Sequence, residues 1–186
     1  MVTIVCDTRQ KLKHHEKKEQ YFAKVGIKTL RSKLPCGDYT RLDNMSVCID
    51  TKQDLQECVG NICGKEHVRF RDECQLAQDN GIKLIILVEH SRFINSIDDV
   101  EKWNNPRQFL YEKKIRKEWG IARKADFTTE VAELKSHGAK IVRGPTTGPE
   151  LAKCMRTMEE KYGVKFLFCV KGKAGERILE LLNIEV

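Results

Sequence analysis

The sequence feature that most constrains the fold is an uninterrupted apolar run, Leu84-Ile85-Ile86-Leu87-Val88. A short run of this kind, preceded by the turn Asn80-Gly81 and followed by Glu89, is typical of a strand buried on both faces, as strands are in parallel sheets. It is far shorter than the roughly 20 apolar residues of a membrane-spanning helix. We therefore expect a central strand covered by helices on both sides, and no membrane association.

Strands and helices are mixed along the first half of the chain. The pattern predicts, in order, a strand at 2–6, a helix at 14–25, an antiparallel meander of three strands at 27–49, helices at 53–63 and 66–80, and the apolar strand at 83–88. This order favours an α/β fold over an all-helical or all-β one.

The second half has weaker signals. The pattern predicts a loop or short helix at 91–106, a basic helix at 107–119, a helix at 149–162, a strand at 165–170 and a helix at 174–183, and it assigns nothing to 120–147. Tyr111, Ile115 and Trp119 share one face of the basic helix and are expected to pack. We predict a core at 1–90 and a basic helical and α/β extension at 91–186, packed as one compact unit.

Positive charge is concentrated in one segment. The chain has a net charge of +7, and residues 102–124 carry eight lysines and arginines against two glutamates. Such a segment favours a polyanionic partner, most often nucleic acid, although a solvated helix face stays an alternative. The cations predicted to contact nucleic acid are Arg107, Lys113, Lys114, Arg116 and Lys117.

The eight cysteines do not form a metal or redox motif, since no two have the two-residue spacing of a zinc knuckle. Several lie in apolar strings, so we interpret them as reduced core residues. The amino terminus lacks the basic start and apolar stretch of a secretory signal, and we expect a cytoplasmic protein.

Acidic residues fall where predicted strands end or turn. Asp7 follows the first strand, Asp38 opens a hairpin strand, and Asp50 ends the third strand of the meander, with Lys52 two residues later. Alternate residues of a strand share a face, so Asp50 and Lys52 are expected to point toward the site of Asp38. Two carboxylates can hold Mg²⁺ or Mn²⁺, and a lysine beside them can stabilise phosphodiester cleavage. These residues therefore predict a metal-dependent nuclease.

Four motifs in this order carry a resemblance to a known family: Asp7-Thr8-Arg9, Gly37-Asp38-Tyr39, Asp50-Thr51-Lys52 with Asp54-Leu55, and Arg69-Phe70. Together they resemble the nuclease domain of the XPF-type structure-specific endonucleases, a branch of the PD-(D/E)XK superfamily. The similarity covers roughly residues 2–90. The sequence around the motifs also resembles that of short phage and prophage proteins of this group.

The resemblance implies a restriction-endonuclease-like mixed sheet flanked by helices, to which residues 91–186 add a helical, basic C-terminal extension. It also implies Mg²⁺- or Mn²⁺-dependent cutting of DNA at branched, flapped or junction structures, as in the repair of DNA intermediates. The implied roles are metal ligation by Asp38 and Asp50, catalysis by Lys52, membership of the same acidic cluster for Asp7, and site support or phosphate binding by Arg9 and Arg69.

The chain departs from the family pattern at several points. Family members usually have glutamate where Gln10 stands, Glu-Arg-Lys where Asp50-Thr51-Lys52 stands, and glutamine where Glu73 stands. The paired helix-hairpin-helix modules of eukaryotic relatives have no convincing counterpart in 91–186.

Two alternatives accompany the nuclease hypothesis. A catalytically silent nuclease-fold module that binds DNA or an active subunit is the main one, and homodimers and heterodimers both stay open. A cysteine-rich metal or redox protein is disfavoured by the spacings. His14-His15-Glu16 could lie near the metal, but a solvated helix start is the favoured interpretation.

Overall fold

The structure, a computed structural model, describes residues 2–9, 12–90 and 93–185, apart from the side chains of 12–14. In this part of the chain the strands are β1 (Thr3–Asp7), β2 (Lys28–Ser32), β3 (Tyr39–Arg41), β4 (Val47–Lys52), β5 (Lys83–His90) and β6 (Lys165–Val170). They form one sheet in the order β2-β1-β3-β4-β5-β6. β3 is antiparallel to β1 and β4, and the other neighbours are parallel, so the sheet is mixed as predicted.

Helices cover both faces of the sheet. They are α1 (Leu12–Lys24), α2 (Leu55–Ile62), α3 (His67–Asp79), α4 (Ile97–Glu101), α5 (Pro106–Trp119), α6 (Phe127–Ser136), α7 (Gly148–Tyr162) and α8 (Ala174–Leu181). One core lies between the sheet and α2, α3, α4 and α7, and the other lies between the sheet and α1 and α8. The architecture is the predicted α/β one, and among the described residues no helix is both long and apolar enough to span a bilayer.

The apolar run predicted to be a doubly buried strand is β5. Leu84, Ile86 and Val88 belong to the core under α2, α3 and α7, whereas Ile85 and Leu87 belong to the core under α1 and α8. Each such side chain contributes about 1.5–3 kcal/mol by leaving water. Five cysteines are also buried in these two cores: Cys6, Cys36, Cys48, Cys58 and Cys74.

The predicted meander at 27–49 is wrong in one strand. β3 and β4 do form an antiparallel hairpin, but β2 pairs in parallel with β1, with Val5 opposite Leu30. The reason is the helix α1, which is long enough to carry the chain back along the same direction, as a parallel pair requires. β2 is therefore an exposed edge strand next to β1 rather than a neighbour of β3.

The second half of the chain contributes to the sheet and also builds a peripheral subassembly. β6 lies beside β5, and α7 packs on α4. α5, α6 and the segment 139–147 form the peripheral part, in which Tyr111 donates a hydrogen bond to the carbonyl of Val142 (2.8 Å). Asn105, the cap of α5, joins this part to the core because it donates to Thr146 O (2.7 Å) and accepts from Gln56 Nε2 (2.5 Å).

Candidate active site

The acidic residues predicted to cluster do meet at one end of the sheet. Asp7 ends β1, Asp38 immediately precedes β3, and Asp50 lies in β4. Backbone hydrogen bonds fix their spacing: Asp7 N donates to Asp38 O (2.9 Å), and Asp38 N donates to Ile49 O (2.7 Å). With Lys52, Arg9 and Arg69, they line a single cavity of about 390 Å³.

Gly37 shapes the turn that presents Asp38. Its φ of +68° lies in the left-handed region, and a Cβ at this position would lie 3.1 Å from the carbonyl oxygen of Ile49. The amide of Gly37 donates to Glu73 Oε1 (2.9 Å), which ties the turn to α3. Backbone geometry thus requires the glycine of the Gly-Asp pair.

Thr51 holds the carboxylate of Asp38. Its backbone N (2.8 Å) and its Oγ1 (2.5 Å) both donate to Asp38 Oδ2. Two donors to one oxygen orient the carboxylate and stabilise its negative charge. Asp38 is therefore presented to the cavity in a fixed orientation.

Asp50 and Lys52 form a buried ion pair on the same face of β4. Lys52 Nζ lies 2.6 Å from Asp50 Oδ2, and the two side chains are only 6% and 7% exposed. That oxygen accepts no other hydrogen bond from the described residues. The predicted orientation of the two side chains is confirmed, and Lys52 also lies over the ring of Phe70, 4.9 Å from its centroid.

The buried position changes the titration of both groups. Burial raises the pKa of Asp50, and the charge of Asp38 adds to this, although Lys52 works in the opposite direction. Burial works to lower the pKa of Lys52, but the negative charge of Asp50 outweighs it, so that pKa lies above its ordinary value. The ammonium of Lys52 therefore remains protonated at neutral pH.

Both carboxylate oxygens of Asp7 accept hydrogen bonds. Its Oδ1 accepts from Arg9 N (2.6 Å) and Arg9 Nε (2.9 Å), and its Oδ2 accepts from Arg9 Nη2 (2.7 Å) and Leu34 N (2.9 Å). Burial tends to raise the pKa of Asp7, but these hydrogen bonds lower it below the ordinary value. In this structure Asp7 positions Arg9 and the connection from β2 to β3.

The cavity is also lined by four titratable side chains that were not assigned to the site from sequence: His15, Lys18, Glu57 and Glu73. His15 is buried and its Nδ1 lies 2.6 Å from Tyr39 Oη, so its interpretation as part of a solvated helix start is wrong. Burial raises the pKa of Glu73, and the charge of Asp50 adds to the shift. Glu73 lies one helical turn after Arg69, and that spacing was a usable signal. Gln10 and the side chain of His14 lie outside the described residues.

The two predicted arginines are at the mouth of the cavity. Arg9 is about half exposed, and Arg69 is 59% exposed while it contacts Glu73 (3.3 Å) and Asn61 (3.1 Å). Both guanidinium groups are partly open to solvent. They are placed where an incoming anion would meet them.

The five predicted cations of the basic segment lie on α5 and do not line this cavity. Arg116 pairs with Glu112 (2.7 Å) and donates to the carbonyls of Ala122 (2.6 Å) and Ala125 (3.2 Å). It therefore ties α5 to the connection that leads into α6. The remaining four are exposed: Arg107, Lys113, Lys114 and Lys117.

The donor set fits a hard divalent cation rather than zinc. Among the described residues no group of three or more histidine, cysteine, aspartate or glutamate side chains is arranged to hold a metal. Mg²⁺, however, is commonly bound through one or two carboxylates, with water completing its coordination. Asp38 and Asp50 face one cavity and supply such a pair, and among the described residues Asp50 Oδ2 has no hydrogen-bond partner besides the ammonium of Lys52.

The comparisons with known proteins identify the fold. No protein-family model matches the chain, and no curated protein is significantly similar to it in sequence. XPF from Aeropyrum pernix is similar in structure with a TM-score of 0.56 at 13% identity, over 97% of this chain and 63% of that one. The same protein in complex with DNA gives a TM-score of 0.55 at 14% identity, over 98% and 64%. The chain spans slightly less than two thirds of the length of those structures, and it has the fold of the XPF-type nucleases.

Proposed function

We propose that this chain is a divalent-metal-dependent DNA endonuclease that hydrolyses phosphodiester bonds at branched, flapped or junction DNA. The observation that carries the proposal is the convergence of Asp38, Asp50 and Lys52 on one cavity at the strand ends of an XPF-type fold. The structure of the Aeropyrum pernix protein in complex with DNA supports DNA as the substrate.

Asp38 and Asp50 would hold Mg²⁺ or Mn²⁺. Such an ion supplies charge neutralisation at the phosphate and lowers the pKa of water. Asp38 is already oriented by Thr51, so it needs little rearrangement to act as a ligand.

Lys52 supplies a fixed positive charge beside these carboxylates. Its Nζ stays protonated and is held by Asp50, so it can donate a hydrogen bond to a phosphate oxygen as negative charge develops there. Arg69 and Arg9, at the mouth of the cavity, can bind the phosphates on either side. In this proposal the buried groups carry out hydrolysis, and the exposed groups bind the DNA backbone.

The exposed cations of α5 would bind the DNA backbone outside the cavity. Arg107, Lys113, Lys114 and Lys117 have solvent-exposed side chains, as contacts to a DNA backbone require. Arg116 does not share this role, because its guanidinium is engaged by Glu112 and by two carbonyls.

A second candidate function is a silent nuclease-fold module that binds DNA or an active subunit. The observation that favours it is the ion pair itself: Asp50 is neutralised by Lys52, and Asp7 is saturated by Arg9 and Leu34. A site of this kind is stable without any metal.

Cleavage decides whether the chain is an enzyme. The substrates are labelled linear duplex, flap, fork and four-way junction DNA, each incubated with Mg²⁺ or Mn²⁺. The proteins compared are the wild type, Asp50→Asn and Lys52→Met. Asp79→Asn is the control, because it changes an exposed carboxylate at the far end of α3. We expect both site variants to lose roughly 10²-fold or more in rate, as loss of transition-state stabilisation does, and the control to lose nothing. Intact substrates with the wild type under every condition refute the proposal.

Metal binding separates the two functions. A cation held only by the folded state raises the melting temperature as its concentration rises. We expect a Mg²⁺-dependent rise for the wild type and none for Asp50→Asn. DNA binding without a metal-dependent rise and without cleavage supports the silent module instead.

A further inference from the structure

α5 has two unlike faces. On the inner face Ile115 is buried, and Tyr111 meets the ring of Phe127 edge-on at a centroid distance of 6.0 Å. Phe109 lies two residues before Tyr111, about 200° around the helix axis, and is therefore directed away from that packing face. Its side chain is 70% exposed.

Phe109 lies at the edge of a surface cavity of about 500 Å³ on the outer face. The other lining residues are Glu112, Lys113, Arg116 and Arg123. Phe109, Lys113 and Arg116 follow one another along consecutive turns of the helix, and Arg123 approaches from the turn after α5. A single exposed apolar side chain is ordinary on a protein surface. The argument here is that the Phe109 ring lines the same cavity as the cations Lys113 and Arg123.

The charge of this cavity is positive. Glu112 is neutralised by Arg116, whereas none of the ion pairs in the described part of the chain involves Lys113 or Arg123. The occupant is therefore expected to carry negative charge and a flat apolar surface together.

A second copy of this chain fits this surface poorly. A two-fold interface brings the same patch of both copies together. Lys113, Lys114 and Lys117 would then face the same three cations of the partner, and like charges in contact oppose association. Single-stranded nucleic acid matches the surface better, because it offers phosphates at its backbone and an accessible ring face at each base.

We propose that the outer face of α5 binds single-stranded DNA, with one base stacked on Phe109 and the adjacent phosphates on Lys113 and Arg123. The proposal goes beyond the proposed function by assigning the single-stranded part of a branched or flapped substrate to this surface, and metal-free binding tests it independently of cleavage. In a duplex the bases are stacked on one another and present no face to Phe109, so the site discriminates between the two forms.

The test measures binding in the absence of any divalent metal, with EDTA present, so that cleavage does not interfere. A fluorescent thymidine oligonucleotide of about 15 nucleotides, a length matched to known single-strand sites, is compared with a duplex of equal length by fluorescence anisotropy. The variants are Phe109→Ala, Phe109→Tyr and Leu110→Ala, the last as the control because Leu110 is a neighbouring side chain with 65% exposure.

Phe109→Ala is expected to weaken single-strand binding roughly tenfold. Phe109→Tyr keeps an aromatic ring and is expected to bind as the wild type does, and Leu110→Ala likewise. Duplex binding is expected to change little in all three. Replacing Lys113 and Arg123 by glutamine is expected to reduce the salt dependence of single-strand binding by about 0.7 in logarithmic slope for each phosphate that is no longer neutralised.

Three results would overturn the inference. They are unchanged single-strand binding by Phe109→Ala, an equal loss for Leu110→Ala or for the duplex, and a wild-type dimer that Phe109→Ala converts to monomer. Because the binding assay contains no metal, a failure of cleavage leaves this inference standing. Conversely, intact cleavage with no role for Phe109 refutes the inference and leaves the proposed function.

Discussion

The ion pair between Asp50 and Lys52 makes a specific prediction about stability. Lys52→Met removes the ammonium while keeping a long apolar side chain that still reaches the ring of Phe70. The variant leaves Asp50 buried at the end of β4 with no adjacent cation. Stability is measured by urea denaturation and by thermal melting at pH 7, with EDTA present so that no metal contributes.

The expected loss of stability follows from the distance between the two charges and from their burial. At 2.6 Å the attraction between the two charges is about 6 kcal/mol for an effective dielectric constant of 20. Burying both ions costs a comparable amount, so the pair adds little net stability, but removal of one partner leaves the burial cost of the other. We expect Lys52→Met to lose about 3–5 kcal/mol, and its melting temperature to fall by about 6–20 °C for a chain of this size.

The double variant Asp50→Asn/Lys52→Met is the control. It removes both charges, so it is expected to lie within about 1–2 kcal/mol of the wild type or above it. The single variants should therefore be strongly non-additive. A Lys52→Met protein as stable as the wild type, or losses that simply add in the double variant, would refute the reasoning.

Two further predictions concern the residues that shape the site. Burial tends to raise the pKa of Asp7, but its hydrogen bonds with Arg9 outweigh burial, so this pKa lies below its ordinary value. The stabilisation that these hydrogen bonds give the folded protein is present above the unfolded pKa of about 3.9. It is lost as the pH falls through the pKa of Asp7 in the folded protein. Asp7→Asn should therefore cost about 1–2 kcal/mol at pH 7, and the pH-dependent melting curves of variant and wild type should begin to converge only below about pH 4, as Asp7 is protonated in the folded state. Gly37→Ala should cost more stability than Gly26→Ala, since both positions have positive φ but only the first Cβ meets a neighbour, at 3.1 Å from Ile49 O. Equal losses in thermal melts would contradict that account.

Local pattern predicted the elements whose sequence signals are strong. β5 is a continuous apolar run, and α7 begins at a capping box of Thr147 and Glu150 and ends at Gly163, whose φ is +66°. β6 was predicted with its observed bounds, Lys165–Val170. In contrast, α6 has no buried residue, so its sequence carries little periodicity and 120–147 could not be assigned.

Local sequence pattern could not predict which strands pair in the sheet or which helical side chains reach the cavity. The alternation in β2 is compatible with any neighbour, and the crossover through α1 decides that the neighbour is β1. In the site, the period of a strand sufficed to align Asp50 with Lys52. His15 and Glu73 reach the cavity only because of how α1 and α3 are rotated against the sheet, which one sequence does not specify.

The cost of the Asp50–Lys52 pair is itself an argument about function. Two opposite charges on one face of a buried strand contribute little net stability, and an apolar pair of similar volume is often neutral or better. Stability alone therefore gives no reason for an acid and a lysine at these positions, next to a carboxylate that Thr51 holds with two hydrogen bonds. The proposed phosphodiester hydrolysis needs a ligand for a cation and a fixed positive charge near the phosphate, and under that proposal these residues would supply both. If the proposed function holds, the double variant Asp50→Asn/Lys52→Met keeps the fold and loses cleavage, and it would therefore separate the requirements of stability from those of catalysis in one molecule.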